Sequence, residues 1–288
     1  MEKIKECKKI MWYILIILLI LIVVSVILFN LPFSKTRTEF NKAVEQKIKT
    51  AGITNDIFTE NDIKDLPEPV QKYFNHCGYI GKPKMNYIKA EFKNVDFKTS
   101  PDKTIKIDYT QYNFVNKPDR FAYIDSSLFG IPFEGFDSYN DGVGSMKGCI
   151  AKLITLFDQK GIEMDTACLV TYLAESLMLP NAALQDFIFW EEVDDTHAKA
   201  TINYYGLSAS GVFTFNEEGL WLSFKTSDRV ATALDGTKRE ADWSAIIDDY
   251  HEINGILRPR VVLSIWHYAE GDFVYFNENK ADFTIEYH

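Results

Sequence analysis

The chain has 288 residues, of which 47% are hydrophobic and 14% aromatic, and its formal net charge is −10. Residues 1–29 hold four lysines and two glutamates, a balance of +2, so the rest of the chain carries −12. A surface this acidic repels phosphate backbones, which excludes nucleic acid as an expected partner. The aromatic content favours a sheet, where large rings pack well on a pleated surface.

The first predicted element is a membrane-spanning helix over Ile10–Phe29, an unbroken apolar run. As a helix this run spans about 30 Å, the thickness of a hydrocarbon core. It ends without a small-residue cleavage site, and no cysteine stands directly after it, so an uncleaved anchor is favoured over a signal peptide or a lipoprotein. The lysines before the run place the N-terminus in the cytoplasm and residues 30–288 outside the membrane.

Residues 35–80 are predicted to form a helical connector. Apolar residues at helical spacing mark its first helix: Phe40, Ala43, Val44 and Ile48. Gly52 is expected to end that helix, because glycine tolerates the conformation found after a last helical turn. A second short helix is predicted over 66–74, with prolines suited to its first turn and Gly78 at its end.

Residues 81–288 are predicted to form an antiparallel β domain, because polar and apolar residues alternate from about residue 84. The alternation changes phase after Phe92, which indicates a bulge. One helix is expected near 165–178, with Asp165 as its N-cap, and Phe273–Tyr287 is expected to form a final strand. The predicted fold class is mainly β with helices (α+β): a large curved antiparallel sheet crossed by a helix. Residues 1–34 supply the cytoplasmic tip and transmembrane anchor.

The cysteines show no metal-binding or redox motif, because none of them forms a C-x-x-C pair. Three of them lie beyond the anchor: Cys77, Cys149 and Cys168. Two interpretations stay open, a Cys149–Cys168 bridge or three buried free thiols.

Three segments resemble an uncharacterised family of bacterial single-span membrane-anchored proteins. They are LPEPVQKY at 66–73, YLAE followed by LPNAAL at 172–184, and WEEVDD at 190–195. Residues in the order expected of that family follow them: Arg229, Trp243, Tyr250 and Trp266. The resemblance covers most of residues 60–288 and implies architecture but no chemistry. Its outline is similar to the outer-membrane lipoprotein carriers, whose curved sheets hold helices in an apolar concavity.

A ligand site is predicted where the inserted helix meets the following strand. The proposed ligand-binding residues are Tyr172, Glu175, Trp190 and Arg229. A helix laid across a curved sheet would form the lip of a pocket at this corner. Glu175 is either a buried acid, paired with Arg229, or part of a solvated helix face.

The leading functional hypothesis is a membrane-anchored extracytoplasmic module that binds a lipid or another apolar ligand. One alternative is an envelope hydrolase that uses Glu175 or the cluster Asp194–His197, although that cluster also fits a solvated turn. Another is a protein-interaction scaffold or sensor. No catalytic residue, metal site or cofactor is predicted, because the sequence lacks G-x-S-x-G and H-E-x-x-H motifs.

Overall fold

The computed structural model describes residues 2–52, 54–232, 237–280 and 283–288, with side chains described from residue 5 onward. Its first helix, α1 (Glu2–Asn30), is long and apolar enough to cross a membrane, and its apolar side chains are exposed. The sequence also predicts a linker with the turn signal Asp235-Gly236 before Trp243, and these two residues lie outside the described residues.

The helix α2 (Lys35–Ala51) begins at Ser34, whose hydroxyl accepts a hydrogen bond from the Arg37 backbone N–H at 3.0 Å. Gly52 follows its last residue with φ +80°, which confirms the predicted end of this helix. One face of α2 packs on the outer face of the sheet, where Phe40 and Val44 contact a cluster that includes Phe121.

Two short helices follow, α3 (Glu60–Ile63) and α4 (Glu68–His76). The face of α4 that carries Val70, Tyr73 and Phe74 is fully buried in the main core. Tyr73 also donates a hydrogen bond from its hydroxyl to the Leu177 carbonyl at 2.8 Å. Residues before position 81 therefore help to build the core of the β domain.

The predicted fold class is confirmed, because the described residues form a large antiparallel sheet with few helices. The strands are β1 (Tyr87–Ser100), β2 (Lys103–Phe114), β3 (Arg120–Leu128), β4 (Ile131–Asn140), β5 (Val143–Ile150), β6 (Ile154–Lys160), β7 (Ile188–Asp194), β8 (His197–Tyr204), β9 (Leu207–Phe215), β10 (Trp221–Thr226), β11 (Val230–Thr232), β12 (Lys238–Glu240), β13 (Asp242–Ile253), β14 (Ile256–Tyr268), β15 (Gly271–Glu278) and β16 (Phe283–Tyr287). Their order across the sheet is β6-β5-β4-β3-β2-β1-β15-β14-β13-β10-β9-β8-β7, with β16 beside β1. Strands β11 and β12 form a separate hairpin.

Strand β1 changes its partner at a bulge between Phe92 and Val95. Before the bulge β1 pairs with β16, and after it β1 pairs with β15. The predicted bulge is therefore confirmed. The single final strand predicted over Phe273–Tyr287 is wrong, because β15 and β16 are separate strands that share one neighbour.

The sheet is so strongly curved that two turns far apart in the strand order are in contact. Neighbouring strands of a sheet rotate by roughly 20° relative to each other, and this rotation accumulates across many strands. As a result Tyr205, in the turn between β8 and β9, donates a hydrogen bond to Asp141, in the turn between β4 and β5, at 3.1 Å. The curled sheet has a concave face that holds the main core.

The helix α5 (Ile162–Ala174) crosses the concave face and contacts β4, β5 and β6 on one side and β8 and β9 on the other. From Ala167 to Ala174 nearly every residue of the helix is buried, whereas its first turn, with Ile162 and Glu163, is exposed or half-buried. The turns at 175–187 fill the rest of the concavity with Leu177, Leu179 and Ala183 among others. The chain's own side chains therefore occupy the interior.

The start of α5 differs from the prediction, which placed Asp165 at its N-cap. The observed N-cap is Gly161, four residues earlier, with φ +111°. Asp165 lies in the first turn, and its carboxylate accepts a hydrogen bond from the Gly144 N–H at 2.6 Å. The carboxylate thus ties α5 to β5.

The cysteines beyond the anchor are free and buried. Burial raises the pKa of Cys77, which keeps its thiol protonated. A Cys149–Cys168 bridge is not formed, so of the two open interpretations the buried free thiols are confirmed.

Candidate functional site

Arg120 lies at the start of β3 on the concave face, and its side chain is 3% exposed. Its guanidinium donates hydrogen bonds to Asp137 at 2.6 Å, to Glu175 at 2.8 Å and to the Tyr109 hydroxyl at 2.5 Å. Gln111 accepts a further, longer bond at 3.3 Å. A buried cation is tolerated when its donors are paired in this way.

Glu175 caps the C-terminal end of α5, and its side chain is 15% exposed. One of its carboxylate oxygens also accepts hydrogen bonds from the Gln111 amide at 2.7 Å and the Asn113 amide at 2.8 Å. Glu175 is therefore a largely buried acid bonded to neighbouring side chains and not part of a solvated helix face. The suggested pairing with Arg229 is wrong, because the partner is Arg120.

Electrostatics hold this group of side chains together. Burial by itself lowers the pKa of Arg120, but the charge of Glu175, with Tyr109 and Asp137, outweighs it and keeps that pKa well above its ordinary value. Arg120 is therefore a permanent cation that holds the end of α5 on β2, β3 and β4. Because every partner belongs to the chain itself, we assign the group a structural role.

Arg229 lies just after β10 and has different surroundings. Its Cζ atom lies 4.6 Å from the centre of the Trp243 ring and 5.5 Å from that of Trp266. The Nε and Nη1 atoms are buried, and within the described part of the chain neither has a hydrogen-bond partner. Arg229 therefore combines two indole contacts with unused donors.

Trp243 and Trp266 are buried, and half-buried aromatic side chains surround them; we call the whole group the aromatic rim. Its members are Phe97, Trp243, Trp266, Tyr268, Phe273 and Tyr275. Trp243 and Trp266 face each other across β13 and β14, and the Trp243 ring N–H donates to the Tyr275 hydroxyl at 3.1 Å. The rim is an apolar surface with a cation beside it.

The hairpin of β11 and β12 follows Arg229 directly in the chain. Lys238 on β12 forms an ion pair with Glu163 of α5 at 2.5 Å. Arg239 lies over the Tyr268 ring, 3.8 Å from its centre, and pairs with Glu270 at 2.7 Å. The hairpin thus joins α5 to the aromatic rim.

Tyr172 and Trp190, two of the predicted ligand-binding residues, pack against other parts of the chain. Tyr172 is buried and donates from its hydroxyl to the Phe114 carbonyl at 2.6 Å. Trp190 is half-buried, donates from its ring N–H to the Ala183 carbonyl at 2.9 Å, and lies against Phe213. Both side chains hold the segment around α5 in place.

The Asp194–His197 cluster is a solvated turn between β7 and β8. The backbone N–H of Thr196 and the imidazole of His197 donate to Asp194 and lower its pKa to about 2. Asp194 and Asp195 are exposed, and the side chain of His197 is 36% exposed. Across the described ranges, His, Cys, Asp and Glu side chains form no group of three that could hold a metal ion.

A groove of about 370 Å³ runs between α2 and the turns that follow β2 and β4. Its charged side chains neutralise one another, with Lys47 and Asp119 2.7 Å apart and Lys117 and Asp141 2.9 Å apart. This pairing leaves Arg229 with the aromatic rim as the stronger candidate for a ligand site.

Arg120 was missed by the sequence analysis. The sequence of β2 contains a pattern that predicts such a buried partner. The strand face that begins with Ile105 and Ile107 continues with the polar residues Gln111 and Asn113. Polar residues that interrupt an apolar strand face indicate a buried polar partner.

The chain belongs to DUF6544, a family of unknown function, whose family model matches residues 56–278. This match confirms the resemblance to an uncharacterised family. No functionally curated protein matches the chain. A LolA superfamily protein from Nitrosomonas europaea has a similar structure, with 9% sequence identity and a TM-score of 0.41 over 76% of this chain and 93% of the other. That similarity concerns the backbone and carries no information on a ligand.

Proposed function

We propose that this protein is a membrane-anchored extracytoplasmic module that binds an anionic amphiphile, such as a lipid with a phosphate or carboxylate head group. In this proposal α1 spans the membrane, and the lysines before it keep the N-terminus in the cytoplasm. The anionic head group binds Arg229, and the apolar part lies on the aromatic rim. The observation that carries the proposal is the pair of buried, unused guanidinium donors of Arg229.

Buried donors without acceptors cost free energy, because they have lost water and gained no partner. The indoles of Trp243 and Trp266 offset part of that cost through cation–π attraction. An anion would supply the missing acceptors. Carboxylates and phosphates match the fork of guanidinium donors, so these are the head groups we expect.

The apolar part of the ligand is expected to lie along the rim, because α5 and residues 175–187 occupy the concavity. Half-buried rings such as Tyr268 and Phe273 offer apolar surface next to Trp266, one of the two indoles that Arg229 contacts. An anchor at the N-terminus keeps the module near the membrane, where amphiphiles are concentrated. In this proposal Tyr172, Glu175 and Trp190 shape the fold and do not contact the ligand.

Lipid extraction tests the proposal. The full chain is purified from membranes in a mild detergent, extracted with organic solvent and analysed by mass spectrometry. We expect an anionic lipid or fatty acid to be recovered at a fixed molar ratio to the wild-type protein. The control Arg37→Gln, which removes a pair with Asp125 away from the rim, should retain that lipid, and Arg229→Gln should lose it. Equal recovery from both variants would contradict the proposal.

A further inference from the structure

Two neighbouring turns at one end of the strands carry exposed apolar side chains. Phe129 and Gly130 join β3 to β4, and residues 151–153 join β5 to β6. Since β4 pairs with β5, the two turns lie side by side. The side chain of Phe129 is 100% exposed and that of Leu153 is 78% exposed.

The backbone makes the choice of Phe129 unusual. Phe129 and Gly130 have φ values of +54° and +80°, a two-residue turn that favours Asn-Gly or Asp-Gly. At the opposite end of these strands, a two-residue turn with the same positive φ values joins β4 to β5, and it is formed by Asp141 and Gly142. A bulky apolar residue with positive φ is strained, and full exposure gives it no packing in return. Folding of the domain therefore does not explain Phe129.

More exposed apolar residues lie beside these turns. Together they form the tip cluster: Phe33, Phe129, Ile131, Leu153, Ile154 and Leu156. Three of them lie at the start of the edge strand β6 or directly before it. A bare apolar edge strand invites aggregation, so a natural protein normally covers it.

The tip cluster lies where the spanning helix ends. The Nζ atom of Lys152, in the turn between β5 and β6, donates a hydrogen bond to the carbonyl of Leu31, one residue after α1. Phe33 follows two residues later and is also exposed. The surface that covers these side chains is therefore expected at the end of α1.

We infer that the tip cluster inserts into the outer leaflet of the bilayer beside α1. This inference rests on the anchoring role of α1 in the proposed function, and it is independent of the ligand. The bilayer supplies the apolar surroundings that Phe129 and Leu153 lack in water. Two membrane contacts, α1 and the tip cluster, determine the orientation of the sheet relative to the bilayer.

Site-specific fluorescence tests the inference on the full chain in phosphatidylcholine vesicles. In a Cys7→Ser background an environment-sensitive dye is attached at Leu153→Cys or Phe129→Cys. Val143→Cys is the matched control, because Val143 is an exposed apolar residue at the opposite end of the strands. Ser25→Cys within α1 reports the anchor. The remaining cysteines are buried and do not compete for the dye.

The readout is quenching by phosphatidylcholine that carries a spin label near the head group. We expect blue-shifted emission and strong quenching at positions 153 and 129, and neither at position 143. Quenching at position 25 without quenching at 153 and 129 would overturn the inference and leave the anchor intact. Absence of quenching at position 25 would remove the anchor and the inference with it. Equal quenching at 143 and 153 would also overturn it.

Discussion

Arg120 and Arg229 both approach the helix that fills the concave face, yet only one of them is satisfied by the chain. Arg120 donates to Glu175, Asp137 and Tyr109. Arg229 lies on two indoles with buried donors that have no acceptor in the described residues. The difference separates a cation that holds the fold together from one that, in the proposed function, binds an anion.

The largest expected effect is on folding. Arg120→Met removes the partner of the buried Glu175 carboxylate and should lower the free energy of unfolding by about 3 kcal/mol. Chemical denaturation of the full chain in detergent measures it. The control Arg239→Met removes an exposed pair with Glu270 and should leave the free energy of unfolding nearly unchanged. Equal effects of the two variants would contradict the structural role of Arg120.

Arg229→Met should behave differently in the same measurement. It replaces a charge that lacks hydrogen-bond partners with an apolar side chain that can keep contact with the indoles. The free energy of unfolding should stay unchanged or rise by about 1 kcal/mol. A loss as large as that of Arg120→Met would mean that Arg229 is also structural, and the comparison would fail.

The smallest expected effect concerns the hairpin of β11 and β12. Lys238→Gln removes the ion pair with Glu163, which ties the hairpin to α5. Because both groups are exposed, global stability should not change. Amide hydrogen exchange should become faster in residues 238–240 and stay constant in β3 around Arg120. Unchanged exchange in the hairpin would show that the ion pair does not hold it.

Much of the fold could be predicted from local sequence patterns. The spacing of Phe40, Ala43 and Val44 is enough to define α2, because neighbours on a helix face are close in the chain. The change of phase after Phe92 likewise revealed a real bulge. The prediction of Asp165 as the N-cap was wrong, because its carboxylate accepts a hydrogen bond from β5. Local periodicity does not encode that contact.

The candidate site was less predictable. Arg229 was identified from the sequence, but Glu175 was given the wrong partner, since Arg120 lies 55 positions away and meets it only when α5 crosses the sheet. The packing of α5 into the concavity is also a long-range outcome. An alternating strand pattern predicts that a face is buried, but it does not say which element covers it.

The most direct test of the account is a calorimetric titration with short-chain phosphatidic acid, with phosphatidylcholine of the same chain length as the neutral comparison. The account predicts that the wild type and the control Arg37→Gln both prefer phosphatidic acid. Arg229→Gln should lose about ten- to a hundredfold in affinity, because it gives up charge-assisted hydrogen bonds. Equal affinity of Arg229→Gln and the wild type for phosphatidic acid would contradict the account.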